Sequence, residues 1–206
     1  MVYRAISHSN RGMGLESDIN TTNDYYLDKD IAIIYKKPTP IKVTKVEYNC
    51  IKSPTIKESF YEKQSTTDYN GIYKGKYIDF EAKEIKKELI FPIKNIHEHQ
   101  IKHLERIYKH GGISFIIVRF CINNNTYLLE TTKLLNFINN EDRKSIPFEY
   151  FKENGYIIKD AYCPRLDYLK IIDKLYFNKE ERWKTLNLNL KNLKELWKRL
   201  LQINNY

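Results

Sequence analysis

Residues 66–83 constrain the fold of this chain more tightly than any other stretch. Tyr69-Asn70-Gly71-Ile72-Tyr73 and Lys76-Tyr77-Ile78-Asp79-Phe80-Glu81-Ala82-Lys83 flank Lys74-Gly75, a pair suited to a tight turn between antiparallel strands. Side chains alternate across a strand, so Tyr77, Asp79, Glu81 and Lys83 share one face while Ile78, Phe80 and Ala82 share the other. The apolar set is what the strand buries. The polar set lines up two carboxylates and an ammonium, an arrangement that like-charge repulsion disfavours for stability alone. With a two-residue loop Tyr73 pairs with Lys76 and, counting outward, Asp68 falls opposite Glu81. Two facing acids with a lysine beside them suit a divalent cation. The register is conditional on Asn70-Gly71, which can bend or bulge the first strand.

At 206 residues the chain fits one domain with a sizeable core. A formal charge of +9 and 17 tyrosines point to a polyanion partner, although a Lys-, Asn- and Ile-rich composition also follows from an AT-biased genome. Cys50, Cys121 and Cys163 are far apart and form no CxxC pair, which supports neither a zinc ribbon nor a disulfide framework. A reducing cytoplasm is the expected compartment. The start, Met1-Val2-Tyr3-Arg4-Ala5, lacks an apolar signal core, and no apolar run reaches the ~18–20 residues of a membrane span.

Taken in order, Leu15, Ile19, Thr22 and Tyr26 form one helical stripe, with Glu16 in the first turn. Ile31-Ala32-Ile33-Ile34-Tyr35 reads as a buried strand, stopped by Lys36-Lys37-Pro38-Thr39-Pro40. Residues 38–65 are too long for an ordinary loop, and their partial alternation (Ile41, Val43; Val46, Tyr48) predicts a protruding hairpin. A second helix is expected at about 96–110, ended by Gly111-Gly112, then a buried strand from Ile113 to Phe120, a turn at Asn123-Asn124-Asn125, another strand, and a helix near 132–139. The order is that of an α/β layer on a mixed sheet. Residues 145–177 are expected to wrap back on this core. In 178–206, Trp183, Leu190 and Trp197 alternate with Leu186, Leu193 and Leu200 at heptad spacing among seven basic and three acidic residues. This basic amphipathic helical tail must bury its stripe against the body or a partner.

Phosphodiester hydrolysis needs a hard cation, plus a positive group near the reacting phosphate. Asp68 and Glu81 are hard oxygen ligands on adjacent strands, and Lys83 stands two residues beyond Glu81 on the same face. The spacing Asp-x12-Glu-x-Lys has the shape of a PD-(D/E)XK nuclease site. A closer resemblance rests on Asn10-Arg11-Gly12-Met13-Gly14-Leu15-Glu16, Lys36-Lys37-Pro38-Thr39-Pro40, Ser65-Thr66-Thr67-Asp68-Tyr69-Asn70-Gly71, Lys76-Tyr77-Ile78-Asp79-Phe80-Glu81-Ala82-Lys83-Glu84 and Pro164-Arg165-Leu166-Asp167-Tyr168. In order and spacing, from about residue 8 to 177, these blocks resemble the RecU Holliday-junction resolvases of Gram-positive-type bacteria.

The resemblance implies a homodimeric, Mg²⁺- (or Mn²⁺-) dependent endonuclease of restriction-endonuclease-like fold that nicks opposed strands of a four-way DNA junction during recombination and repair. It makes 1–177 the nuclease domain and 38–65 a stalk inserted between the first two strands. It assigns Thr66, Asp68, Glu81 and Gln100 to the metal site, Lys83 to transition-state stabilisation, and Glu16 to an extra acid on the first helix. A recombinase and a branch-migration helicase are the protein partners it suggests, and no membrane. The short arm before Asn10 and the tail after 178 depart from the family pattern.

Other readings weigh less. His97, His99, His103 and His110 invite zinc, but a zincin pair needs Glu where Gln100 stands, so a solvated or DNA-facing cluster is preferred. Arg11, Lys36, Lys37, Lys74 and Lys76 are candidate DNA-phosphate contacts, each weighed against an ordinary exposed side chain. Tyr69 and Phe60 are weighed as base-stacking groups against the core, which is favoured. Asp79 faces the metal side and is free to support a ligand or pair with a lysine. Two rival functions stay open: a non-catalytic branched-DNA or recombinase-binding protein, and a linear-duplex endonuclease of the same fold.

Overall fold

Eight consecutive residues, Ile113-Ser114-Phe115-Ile116-Ile117-Val118-Arg119-Phe120, form a strand buried on both faces, and the layers assemble around it. The structure, a computed structural model, describes residues 14–38, 41–47, 55–61 and 66–178. The chain divides into compact units Met1–Leu166 and Asp167–Tyr206. In the first, the elements are α1 (Leu15–Asp28), β1 (Ile33–Lys36), β2 (Ile41–Glu47), β3 (Thr55–Tyr61), β4 (Tyr69–Tyr73), β5 (Lys76–Ile85), β6 (Ile90–Pro92), α2 (Glu98–Lys109), β7 (Ile113–Phe120), β8 (Asn125–Glu130), α3 (Thr131–Asn140), β9 (Ser145–Pro147), α4 (Phe148–Asn154) and β10 (Tyr156–Ile158). A six-stranded sheet runs β1-β4-β5-β7-β8-β10. Its β5 and β7 are parallel, with α2 as the crossover, and the other neighbours are antiparallel. This is the expected α/β arrangement of a mixed sheet flanked by helices, with the insert between β1 and β4.

Each face of the sheet is covered. The predicted α1 stripe is buried, and Asp18 and Asn23 are buried with it. On this side the rings of Tyr69, Phe80 and Phe115 stack across β4, β5 and β7, with centroids 4.9 and 4.8 Å apart. Ile116, Val118 and Phe120 face the other way, into a cluster with Leu104 of α2, Leu134 and Phe137 of α3, and Phe148 and Phe151 of α4. Burying each such side chain contributes roughly 1.5–3 kcal/mol. Charge also ties α1 down. Asp18 meets Arg119 of β7 at 2.6 Å and Arg165 at 3.1 Å, and Arg119 further bonds Thr126 at 3.0 Å.

The expectation of a buried strand at 31–35 needs correction. Ile34 is 2% exposed, but Ile33 and Tyr35 are 50% and 54% exposed. β1 is an edge strand covered on one side only, and a short apolar run does not distinguish burial on one face from burial on two. In the insert, β2 and β3 pair antiparallel from Ile41↔Tyr61 to Glu47↔Thr55, with an irregularity between Val43 and Val46. They form a sheet of their own, as expected of a hairpin. The residues joining and flanking these two strands lie outside the described ones, as do Arg11 and the heptad-spaced tail from residue 179. Within the second unit, α5 (Leu169–Ile172) continues into a π-helical turn over Asp173–Phe177. No helix among the described residues is long and apolar enough to cross a membrane.

Candidate active site

The turn at Lys74-Gly75 has φ of 47° and 73°, the left-handed pair that a two-residue hairpin requires. From it β4 and β5 pair without irregularity, Tyr73↔Lys76 through Tyr69↔Phe80. Asp68 stands one residue before β4, near enough for its charge to act on Glu81. Asn70-Gly71 makes no bulge. Gly71 is there because a Cβ would stand 2.0 Å from the Ile33 carbonyl oxygen of β1.

Glu81 is fully buried. Lys83 Nζ forms an ion pair at 2.5 Å from its Oε1; apart from that, neither carboxylate oxygen has a hydrogen-bond partner. Burial, and then the Asp68 charge, raise its pKa to about 7, against the opposing influence of Lys83 and Gln100. Asp68 is half-buried and accepts from Ala82 N at 3.1 Å. It also lines a cleft of about 160 Å³ with Glu16, Glu84, Leu15, Tyr69 and Ala82. The structure thus brings Glu16 to the same cleft as Asp68, where it pairs with Lys36 at 2.5 Å.

The neutral groups are engaged differently from the expectation. Gln100 is buried in the first turn of α2, and its Oε1 accepts from His97 N at 2.9 Å, so the carbonyl caps the helix. Thr66 and Asp68 both precede β4, where backbone alternation has not begun. Lys37 Nζ accordingly reaches the hydroxyls of both Thr66 and Thr67, at 3.1 and 2.6 Å. Among the described residues no three His, Cys, Asp or Glu side chains gather as a metal site.

The candidate DNA contacts scatter. Lys37 is 15% exposed and bound to Asp79 at 2.7 Å, a neutralised internal ammonium. Lys36 is exposed and shared with Glu16. Lys74, 5.0 Å over the Tyr73 ring, and Lys76, 3.3 Å from the Gly111 carbonyl, sit at the turn. The turn lies about 17 Å along β5 from Glu81 at some 3.3 Å per residue, so these two do not join the carboxylates. Tyr69 belongs to the core, fully buried with its hydroxyl on Asn20 at 2.9 Å, and burial followed by Glu16 and Asp68 raises its pKa. The side chain of Phe60 lies outside the described ones. His103 Nε2 stands 3.2 Å from Asp79, and His97 stacks on His99 at 5.5 Å. Sequence reasoning missed the convergence of Lys37, Thr67 and His103 on Asp79, and the buried Asp18–Arg119–Arg165 group. The one sequence signal was Arg119, a lone charge within the apolar run Ile113–Phe120, and it bears only on the second group.

Known proteins provide the remaining evidence of kinship. The family described as RecU, Recombination protein U, matches residues 10–174. A Geobacillus thermodenitrificans protein named Holliday junction resolvase RecU is 48% identical over 176 residues, 84% of this chain and 88% of that protein. Its namesake in Geobacillus kaustophilus is 47% identical over 178 residues (85% and 89%), and one in Bacillus cereus 45% over 175 (84% and 88%). The solved structure of Archaeoglobus fulgidus Hjc, a Holliday junction resolvase, is 11% identical over 68% of this chain and 94% of that one, with a TM-score of 0.38, too slight a likeness to argue from. Nearly half of the residues are shared with the RecU proteins over most of both lengths, and the family match runs from residue 10, before α1, to residue 174, within the π-helical turn. The chain belongs to the RecU family.

Proposed function

We propose that this protein is a structure-selective endonuclease that resolves four-way Holliday junctions by hydrolysis dependent on a divalent cation. The observation that carries the reading is Glu81, a fully buried carboxylate that is ion-paired with Lys83 and still has its pKa raised to about 7 by burial and the Asp68 charge. Burying a carboxylate is costly, the partly exposed Lys83 ammonium offsets that cost only in part, and a hard cation shared with Asp68 would offset more of it. Relatives 45–48% identical that bear the name Holliday junction resolvase support the substrate.

Asp68 and Glu81 would hold Mg²⁺ or Mn²⁺, with Thr66 and Gln100 as neutral donors once Gln100 releases His97. Such an ion supplies Lewis acidity at the scissile phosphate and eases deprotonation of the attacking water. Lys83, 30% exposed, extends from Glu81 to solvent and brings its ammonium to the charge developing on phosphorus. Glu16 adds negative charge at the cleft wall. Two copies about a two-fold axis offer one such site to each of two equivalent strands, which suits a four-way junction. Junction shape rather than base sequence is what basic side chains can read. The family resemblance supports work in the cytoplasm, beside a recombinase and a branch-migration helicase.

The test compares a mobile four-way junction with matched linear duplex in Mg²⁺, Mn²⁺ or chelator. Paired ligatable nicks in the junction alone, requiring metal, are expected. Glu81→Ala should lower the nicking rate by about a hundredfold or more and leave junction binding in chelator unchanged. Binding without nicking would favour an architectural role, and equal cutting of the duplex a linear-duplex endonuclease.

A further inference from the structure

Lys37 immediately precedes Pro38, where the insert begins, and Thr66 and Thr67 stand where it ends. The Lys37 ammonium has three donors and three partners: Asp79 Oδ2 at 2.7 Å, Thr67 Oγ1 at 2.6 Å and Thr66 Oγ1 at 3.1 Å. It has none to spare for a DNA phosphate. Thr67 in turn donates to Asp79 Oδ1, and Lys37 N donates to the Asp68 carbonyl at 2.7 Å. Asp79 is fully buried, receives the Tyr77 hydroxyl at 3.0 Å, and stands two residues before Glu81 on the same strand face. Both ends of the insert therefore meet on one carboxylate of the strand that carries Glu81. The segment 66–68 lies outside any strand; Ala82 N holds the Asp68 carboxylate at 3.1 Å, and Lys37 N holds its backbone carbonyl.

We propose that Lys37 and Asp79 form a clamp of positioning residues that closes the base of the insert and holds Asp68 opposite Glu81 for the cation. The clamp rests on the metal-dependent reading above. It acts through Thr66, Thr67 and the Asp68 backbone, and touches neither cation nor DNA. Its removal should loosen the carboxylate pair without changing the electrostatic footprint on the junction.

The test uses the full chain, Lys37→Met, and Lys37→Met combined with Asp79→Asn. The double variant leaves no buried charge unpaired and stays informative if the single one fails to fold. Mn²⁺ binding measured by titration calorimetry without DNA should weaken about tenfold in the variants, as for other residues that orient metal ligands. Junction affinity in chelator, and its dependence on salt, should match wild type. A salt slope smaller by about one would make Lys37 a phosphate contact and overturn the clamp. Unchanged Mn²⁺ affinity would overturn it too. Wild-type protein that takes up no Mn²⁺ would instead sink the metal-dependent reading itself.

Discussion

Glu81 sits where stability alone would not put a carboxylate, and the consequence is measurable without any substrate. Its metal-free pKa of about 7 lies above the ordinary 4.5, so the native state holds the proton more tightly than the unfolded chain. The stability this contributes is fully present below about pH 4.5 and is lost as pH rises through about 7. Glu81→Gln keeps the shape and removes the charge. Thermal denaturation in chelator should show this variant more stable than wild type at pH 8, by a few kcal/mol at most, with the gap closing toward pH 5. A gap independent of pH would mean that the carboxylate is not the source. Residue by residue, the turn was legible: Lys74-Gly75 fixed the register from Tyr73↔Lys76 to Tyr69↔Phe80. The partners of Lys37 and Asp18 were not, because an ion pair between positions 42 or 101 residues apart leaves no trace in local spacing.

At the scale of elements, the strand that carries Glu81 and Lys83 is held between an antiparallel neighbour and a parallel one, and β4 is held in turn by β1. Gly71 lets β1 approach, since its missing Cβ would overlap the Ile33 backbone. Gly71→Ala must push β1 away, and with it Lys36 and Lys37. A loss of roughly 1–3 kcal/mol is expected from overpacking of this kind, read from the urea midpoint, and unchanged stability would mean that the β1–β4 contact is slack. Long periodic elements were legible in advance: the α1 stripe, the unbroken run of β7 and the hairpin of β4 and β5. The three-residue strands β6, β9 and β10 were not, because so few residues establish no period and their pairing depends on distant partners. Gln100 was read as a ligand from resemblance. Its helix-capping bond became visible only once α2 was seen to start at Glu98.

For the whole molecule, symmetric cleavage of a four-way junction asks for two sites, so sedimentation equilibrium should give a mass twice the 24.8 kDa of one chain. A monomer at concentrations that nick junctions would remove the two-fold argument. The insert was legible as a hairpin from its alternation, whereas its tie to the site through Lys37 and Asp79 required the folded chain. In the proposed site α1 would contribute Glu16, the end of the insert Thr66 and Asp68, β5 Glu81 and Lys83, and α2 Gln100. The most direct test is an anomalous-difference map from crystals soaked in Mn²⁺. A peak about 2.0–2.2 Å from carboxylate oxygens of both Asp68 and Glu81 is predicted. A map empty there, or with its strongest peak at the His97–His99 pair, would contradict the account.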